Sequence, residues 1–177
     1  REDTMKQFSF ALALGAILAA ISMSSHAAAE SWQVTKNERL EETVTAAWVE
    51  NQEGYRFSLV REDDGRVGAI FQIPEDSPML LGTEPPVYRI DDLEERSVAS
   101  WGIYVEMGTK QVNWSIWDGT GNPCDPDGPA KGRKKELCEI MQGRNMVFKF
   151  YRITGEAERT RFSLKGSRKA IQALLEE

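Results

Sequence analysis

The chain has 177 residues with 22 Lys and Arg against 28 Asp and Glu, which gives a formal net charge of −6. This acidic balance argues against nucleic-acid binding through broad phosphate neutralisation and against docking on anionic lipid. The only histidine, His26, lies in a segment that we expect to be removed. The remaining chain would then lack the imidazole needed for a Ser-His-Asp or Cys-His catalytic site or for an imidazole metal site.

The N-terminal segment has the pattern of a secretory signal peptide. Residues 5–7 (Met-Lys-Gln) open a short basic region, residues 8–21 are almost wholly apolar, and residues 27–29 are three alanines of the kind that signal peptidase accepts. The apolar run is shorter than the roughly 20 residues that a transmembrane helix needs. We predict cleavage after Ala29, with residues 1–4 upstream of the true start, and no membrane anchor after cleavage.

Residues 1–29 are therefore assigned to an N-terminal extension and cleaved signal peptide, and residues 30–177 to a single β-rich domain, periplasmic or secreted. Cys124 and Cys138 are the only cysteines. Because an exported domain lies in an oxidising compartment, two cysteines predict one disulfide between them. The alternative, two thiolate metal ligands, lacks the tight spacing and the further ligands of a zinc site.

Alternating apolar residues separated by turn residues predict a mainly β domain, either an antiparallel β-sandwich or a flattened barrel. The first predicted hairpin consists of residues 55–59 and 67–73 with its turn at Asp64-Gly65, and a loop over 75–86 and a strand at 87–90 follow it. The second consists of residues 101–107 and 112–116 with its turn at Gly108-Thr109. Two further strands begin at Met146 and end at Leu164, with a turn at Gly155-Glu156.

Two segments predict short helices, residues 134–141 and the C-terminal residues 168–175. Ser167 offers an N-cap hydroxyl to the second helix. One face of this helix is apolar at helical spacing, and its members are Ala170, Ile171, Leu174 and Leu175. We expect this helix to cover an open end of a sheet.

Several segments together resemble the invasion-associated locus B family of small exported bacterial proteins. They are Trp32-Gln33-Val34, the glycine-containing strand into Ile73-Pro74, Tyr88-Arg89-Ile90-Asp91-Asp92, and Phe162-Ser163-Leu164-Lys165-Gly166 with the helix after it. The resemblance implies a signal peptide, a β-rich domain and a closing strand-to-helix segment, in a family without a defined molecular activity. Family members carry a cysteine just after the early tryptophan and a close pair in mid-domain. This chain has Val34-Thr35 at the first place, and its two cysteines are further apart.

Two aromatic residues of the second hairpin are candidates for a binding patch. Trp101 and Trp114 share the face that we assign to the core, whereas Tyr104 and Trp117 alternate to the opposite face. Two adjacent exposed aromatics are unusual on a monomer and would suit a sugar or a peptide.

A dense basic run is the second candidate, and it consists of Lys131, Arg133, Lys134 and Lys135. Such a run is commonly a solvated helix start. Alternatively it provides an electrostatic contact for an acidic partner, a lipid headgroup or a polysaccharide.

The sequence gives no positive sign of a metal, a cofactor or a catalytic centre. Asp118, Thr120 and Asn122 have the alternate spacing of calcium ligands, but Pro123 replaces the expected glycine and no glutamate closes the loop. We expect a solvated turn there instead. A carboxylate-based hydrolase is the enzyme alternative, because paired acids such as Asp91-Asp92 occur. These pairs point to opposite faces or lie in turns, so none of them has an environment that would raise a pKa.

These features favour an exported non-catalytic binding or interaction domain of the bacterial envelope. Its partner would be a protein or a glycan in the envelope or on a host surface. The alternative function is a periplasmic inhibitor of a lysozyme-type hydrolase, because such inhibitors are small, exported and β-rich, and an acidic inhibitor is attracted to a basic hydrolase.

Overall fold

The computed structural model describes residues 31–39, 42–99, 105–125 and 134–176. The predicted signal peptide and its cleavage site lie outside these residues and stay predictions. The strands of the described part are β1 (Gln33–Arg39), β2 (Glu42–Glu50), β3 (Arg56–Arg61), β4 (Val67–Gln72), β5 (Val87–Ile90), β6 (Arg96–Ser97), β7 (Val105–Met107), β8 (Gln111–Trp117), β9 (Asn145–Tyr151) and β10 (Ala157–Ser163). The helices are α1 (Lys134–Gln142) and α2 (Ser167–Leu175).

The strands form two antiparallel sheets. The larger has the order β1-β2-β3-β4-β8-β7, and the smaller has the order β10-β9-β5-β6. Within the described ranges the edge strands of each sheet stay unjoined. The predicted mainly β class and the sandwich are thus confirmed, and the flattened barrel is not formed.

Aromatic side chains from both sheets meet in the core. Phe148 of β9 stacks on Phe71 of β4 with ring centroids 4.4 Å apart. Four more rings surround Phe148 at centroid distances of 5.5 to 6.1 Å, and they belong to Phe57, Tyr88, Trp114 and Phe162. Because side chains alternate along a strand, each of these residues has neighbours in the chain that face solvent or the flanks.

The predicted first hairpin is confirmed, but its turn is longer than the predicted two residues. The amide of Gly65 donates to the carbonyl of Glu62 at 2.9 Å, so Asp63 and Asp64 occupy the centre of a four-residue turn. Gly65 follows with φ of 83°. This is the three-residue hairpin loop in which glycine takes the left-handed position.

The sequence interpretation missed β1 and β2 as separate strands. Within residues 44–50 of β2, Thr45, Ala47 and Val49 are buried. Small and hydroxylated side chains give a weak alternation of hydrophobicity, which is why this strand is hard to recognise.

The predicted exposure of Trp117 is wrong, because β8 contains a bulge. Val67 pairs with Trp117 and the next residue, Gly68, pairs with Ser115, so Ile116 is an extra residue. The bulge shifts the alternation by one position and turns Trp117 inward, where it is 8% exposed. Its replacement by alanine would therefore alter the core.

Both predicted helices are confirmed, with α1 extending to Gln142 and α2 beginning at Ser167. Ala170, Ile171 and Leu174 are buried, and α2 packs on β1, β2 and β3, as expected for a helix that covers a sheet end. In the described part of the chain, neither helix is long and apolar enough to cross a membrane.

The predicted N-cap role of Ser167 is wrong. Gly166 occupies the cap position of α2 with φ of 93°, and no side chain caps this helix. The buried Ser167 hydroxyl instead donates to the carbonyl of Ile140 in α1 at 2.7 Å. It thereby ties the two helices together.

The predicted disulfide between Cys124 and Cys138 is confirmed. It links the loop after β8 to α1. Arg96 of β6 adds a second tie, since its guanidinium forms a two-pronged ion pair with Glu139 of α1. Helix α1 is thus connected to both sheets.

Reduction of the disulfide is expected to lower the free energy of unfolding by about 3 kcal/mol, because the bond closes a loop of 14 residues. We expect residues 118–125 to loosen before the β core unfolds. Limited proteolysis and far-ultraviolet circular dichroism over a reductant series measure the two events separately. Simultaneous loss of loop protection and of sheet signal would contradict this order.

Candidate functional site

Four cationic side chains share the solvent side of the smaller sheet, and we call this surface the basic face. Its members are Arg89 of β5, Lys149 of β9, and Arg159 and Arg161 of β10. Their chain neighbours Tyr88, Ile90, Phe148, Phe150, Thr160 and Phe162 are buried, so the alternation of each strand sends the cations outward.

The register of the strands places the cations close together. Arg159 pairs with Lys149 across the β10–β9 ladder. Arg161 and Arg89 both pair with Val147 of the central strand β9, from opposite sides. Adjacent strands lie about 4.8 Å apart, so Arg161 and Arg89 are roughly 10 Å apart at the backbone.

Direct ion pairs do not neutralise the cations of the basic face within the described residues. Among the residues that the structure describes, none of its four cations forms an ion pair, whereas Arg56, Arg66, Arg96 and Arg152 all do. The ammonium of Lys149 lies 5.9 Å from the centre of the Tyr151 ring. A local excess of positive charge on a chain of net charge −6 means that the two signs are segregated on the surface.

A polar cleft of about 630 Å³ opens between the basic face and the loop that connects β2 to β3. The arginines Arg89, Arg159 and Arg161 line one side, and Glu50 and Glu53 line the other. The cleft therefore presents both donors and acceptors.

The floor of the cleft is held by Asn51, which is 9% exposed. Its amide nitrogen donates to the Thr160 hydroxyl at 2.6 Å and to the Arg161 carbonyl at 3.0 Å. Its oxygen accepts from the backbone amides of Glu53 and Tyr55 at 3.1 and 3.0 Å. The β2–β3 loop is thus fixed against the backbone of β10 between its two arginines.

The two carboxylates of the cleft each use one oxygen internally. Oε2 of Glu50 accepts from Nε and an Nη of Arg56 at 3.0 and 2.6 Å. Oε2 of Glu53 accepts from the Thr160 hydroxyl at 2.9 Å. Oε1 of Glu50 and Oε1 of Glu53 have no hydrogen bond among the described residues, so both can accept from a ligand.

Asn145 also lines the cleft and begins β9. The Asp91 carboxylate accepts from the amides of Arg144 and Asn145, both at 2.9 Å. Asp91 itself has φ of 46°, in the left-handed region. These two hydrogen bonds anchor the start of the central strand of the basic face.

A buried charge network adjoins the cleft through Tyr55. Arg152 is 2% exposed, and its guanidinium donates to the Pro78 carbonyl, the Tyr55 hydroxyl and the Glu158 carboxylate at 2.7, 2.8 and 2.7 Å. The Tyr55 hydroxyl donates in turn to Glu158 at 2.9 Å. The ring of Phe150 lies 5.0 Å below the guanidinium. The network joins both sheets at one end of the sandwich.

The network makes stability depend on pH at both extremes. Burial raises the pKa of Tyr55 to about 12, and the hydrogen bond from Arg152 lowers the pKa of Glu158. The folded state therefore holds the tyrosine proton more tightly than the unfolded state, and it loses this stability as pH rises from 10 to about 12. The contribution of Glu158 is present above its ordinary pKa of 4.5 and is lost as pH falls below it.

Urea unfolding across pH tests this dependence with two conservative variants. Tyr55→Phe is expected to remove the fall in the free energy of unfolding between pH 10 and about 12. Glu158→Gln is expected to remove the fall that occurs in acid, below the ordinary carboxyl pKa of 4.5. Curves for the wild type and the variants that stay parallel throughout would contradict the assignment.

The structure describes three of the sequence-predicted binding residues, Trp117, Lys134 and Lys135. Trp117 lies in the core, while Tyr104, Lys131 and Arg133 lie outside the described residues. Lys134 is the first residue of α1, and Lys135 is exposed in its first turn. The roles proposed for Tyr104 and for the basic run stay predictions.

The expected solvated turn after β8 is confirmed in the described residues 118–125. The Asp118 carboxylate accepts from the Thr120 amide at 3.0 Å, and the Asn122 side chain accepts from the Cys124 amide at 2.9 Å. Both are Asx-turns. No group of three potential metal-ligating His, Cys, Asp or Glu side chains occurs within the described part.

The sequence interpretation missed the basic face. A usable signal was present, because Arg159-Thr160-Arg161-Phe162 alternates charged with less polar residues, and Lys149 alternates with Phe148 and Phe150. The sequence alone left open which strands are neighbours, and the crossover from β5 to β9 brings Arg89 beside the other cations.

Comparisons with known proteins agree with this β-sandwich closed by a C-terminal helix. The fold is similar to the crystal structure of invasion associated protein B from Bartonella henselae, with a TM-score of 0.53 and 13% sequence identity over 83% of this chain and 93% of that chain. At this identity the likeness shows the fold alone. No protein-family model matches the chain, and no curated protein matches it.

Proposed function

We propose that this chain is an exported non-catalytic domain of the bacterial envelope that binds an anionic partner through the basic face and its cleft. The observation that carries the proposal is the set of four cations on adjacent strands without a carboxylate partner among the described residues. Guanidinium groups bind carboxylates, phosphates and sulfates with paired hydrogen bonds, and three of the four cations are arginines.

Export is supported by two independent features. The N-terminal 29 residues have the pattern of a signal peptide, and the disulfide suits an oxidising compartment. The name of the structural neighbour connects that protein with invasion. For this chain the proposal is restricted to binding in the envelope or at a cell surface.

Retention on a heparin column tests the binding surface. A chain of net charge −6 should pass through at low salt unless its positive charges are segregated, so we expect retention and elution by rising salt. The double variant Arg159→Gln/Arg161→Gln should elute at lower salt than the wild type. The control Arg168→Gln/Lys169→Gln removes the same charge from exposed positions on α2 and should elute with the wild type.

Equal shifts for both double variants would contradict a specific role for the basic face, because net charge alone would explain them. The lysozyme-inhibitor alternative is tested with the same protein in a lysozyme activity assay. Stoichiometric inhibition that persists in Arg159→Gln/Arg161→Gln would favour that alternative.

A further inference from the structure

The geometry points to an acidic glycan as the ligand of the basic face, that is, a sugar chain with carboxylates on separate residues. This inference rests on the proposed function and specifies its ligand. Three features support it: the spacing of the cations, the mixture of donors and acceptors in the cleft, and an aromatic ring on the same side of the smaller sheet.

The cations are spread along a surface and do not converge on one point. Arg159 and Arg161 are two residues apart on one strand, which separates them by roughly 7 Å, and Arg89 lies two strands from Arg161, at roughly 10 Å. A single phosphate is held by donors that surround it. Donors at these separations suit an extended ligand with several spaced anionic groups.

The opposite wall of the cleft disfavours a densely charged polymer. Glu50 and Glu53 each present an oxygen without a hydrogen bond among the described residues, and both would repel closely spaced phosphates. The same oxygens accept readily from hydroxyl groups. A ligand that carries both groups can accept from the arginines with its carboxylates and donate to the glutamates with its hydroxyls.

Tyr151 places a partly exposed aromatic ring on the same side of the sheet. It follows Lys149 by two residues on β9 and is partly exposed. The Lys149 ammonium lies over one face of this ring, 5.9 Å from its centre. A flat aromatic surface beside a cation suits the face of a sugar ring that carries a carboxylate.

A membrane surface fits the basic face less well. The exposed large apolar residues of the described part are Val34, Met79, Leu93 and Ile153, and none of them lies on the strands of the basic face. Interfacial binding combines basic residues with apolar side chains that enter the lipid. The basic face has only the first of these components.

Calorimetric titration with four probes tests the inference on protein expressed from the full chain and purified with its disulfide intact. The probes are oligogalacturonate, polyphosphate, vesicles of phosphatidylcholine with phosphatidylglycerol, and a neutral dextran oligosaccharide. We expect oligogalacturonate to bind most tightly. Arg159→Gln/Arg161→Gln should weaken this binding about tenfold, as two exposed ion pairs of about 0.7 kcal/mol each would give.

Tyr151→Ala separates sugar recognition from charge attraction. We expect it to weaken oligogalacturonate binding several-fold and to leave any residual polyphosphate binding unchanged, because only the sugar stacks on the ring. Arg168→Gln/Lys169→Gln is the matched control and should bind as the wild type does.

Each contrary result overturns a defined part of the account. Polyphosphate or vesicles binding as tightly as oligogalacturonate through Arg159 and Arg161 would overturn the glycan inference and leave the proposed function standing. Failure of every anionic probe to bind would overturn both.

Discussion

Replacement of Arg152 by methionine is expected to lower the free energy of unfolding by about 3–5 kcal/mol. Methionine can fill the space of the aliphatic stem but cannot replace the guanidinium. The Glu158 carboxylate, the Tyr55 hydroxyl and the Pro78 carbonyl would each lose a partner in or near the interior. Urea unfolding followed by tryptophan fluorescence measures the loss.

Two further variants separate the network from a general effect of lost charge. Arg161→Met removes an exposed arginine from β10 and should change the free energy of unfolding by no more than about 0.5 kcal/mol. Adding Glu158→Gln to Arg152→Met should recover part of the loss, because the uncompensated carboxylate is then removed. A cost below about 1 kcal/mol for Arg152→Met would show that the network contributes little.

Truncation of Phe148 to alanine is expected to cost about 3–5 kcal/mol. Its ring lies at the centre of the contact between the sheets, 4.4 Å from that of Phe71 and within 6.1 Å of four others. The vacated volume is lined by rings from both sheets, so small shifts of the backbone cannot fill it.

Phe148→Leu is the matched control and should cost less than the truncation, because most of the volume is retained. Ile153→Ala, at a position that is 56% exposed, should change stability by no more than about 0.5 kcal/mol. A similar cost for the alanine and leucine variants of Phe148 would contradict tight packing between the sheets.

The sequence predicts those strands best whose alternation is strong. Met146, Phe148 and Phe150 of β9 alternate with more exposed residues, and this strand is where we expected it. The inward residues of β2 include Thr45 and Ala47, whereas the less buried neighbours Val44 and Trp48 are more hydrophobic, so the expected alternation is obscured. Strands with large inward side chains can therefore be predicted from the sequence, and strands with small inward side chains are missed.

The β-bulge in β8 explains why the exposure of Trp117 was predicted wrongly from the sequence pattern. Alternation from Val112 through Trp114 and Ile116 predicts that Trp117 faces outward, and a single extra residue in the ladder reverses it. A bulge leaves no reliable mark in the sequence, because it depends on the register between β4 and β8. The predicted aromatic patch failed at this residue for that reason.

The sequence interpretation missed the candidate site because the site forms only when three strands lie side by side in the sheet. Each cation of the basic face is an ordinary outward residue of its own strand. Only the order β10-β9-β5 brings Arg161, Lys149 and Arg89 to one surface. The basic run at residues 131–135 was visible because its charges are adjacent in the chain, and adjacency in sequence is a poor guide to surfaces formed by strands.

The backbone amides that respond to an anionic ligand show where on the protein it binds. Chemical-shift mapping of the isotope-labelled protein during titration with oligogalacturonate measures this directly. We expect the largest changes at the amides of Arg89, residues 147–149 and residues 159–161. Changes concentrated at residues 131–135, with these three strands unaffected, would contradict the assignment of the binding surface to the basic face.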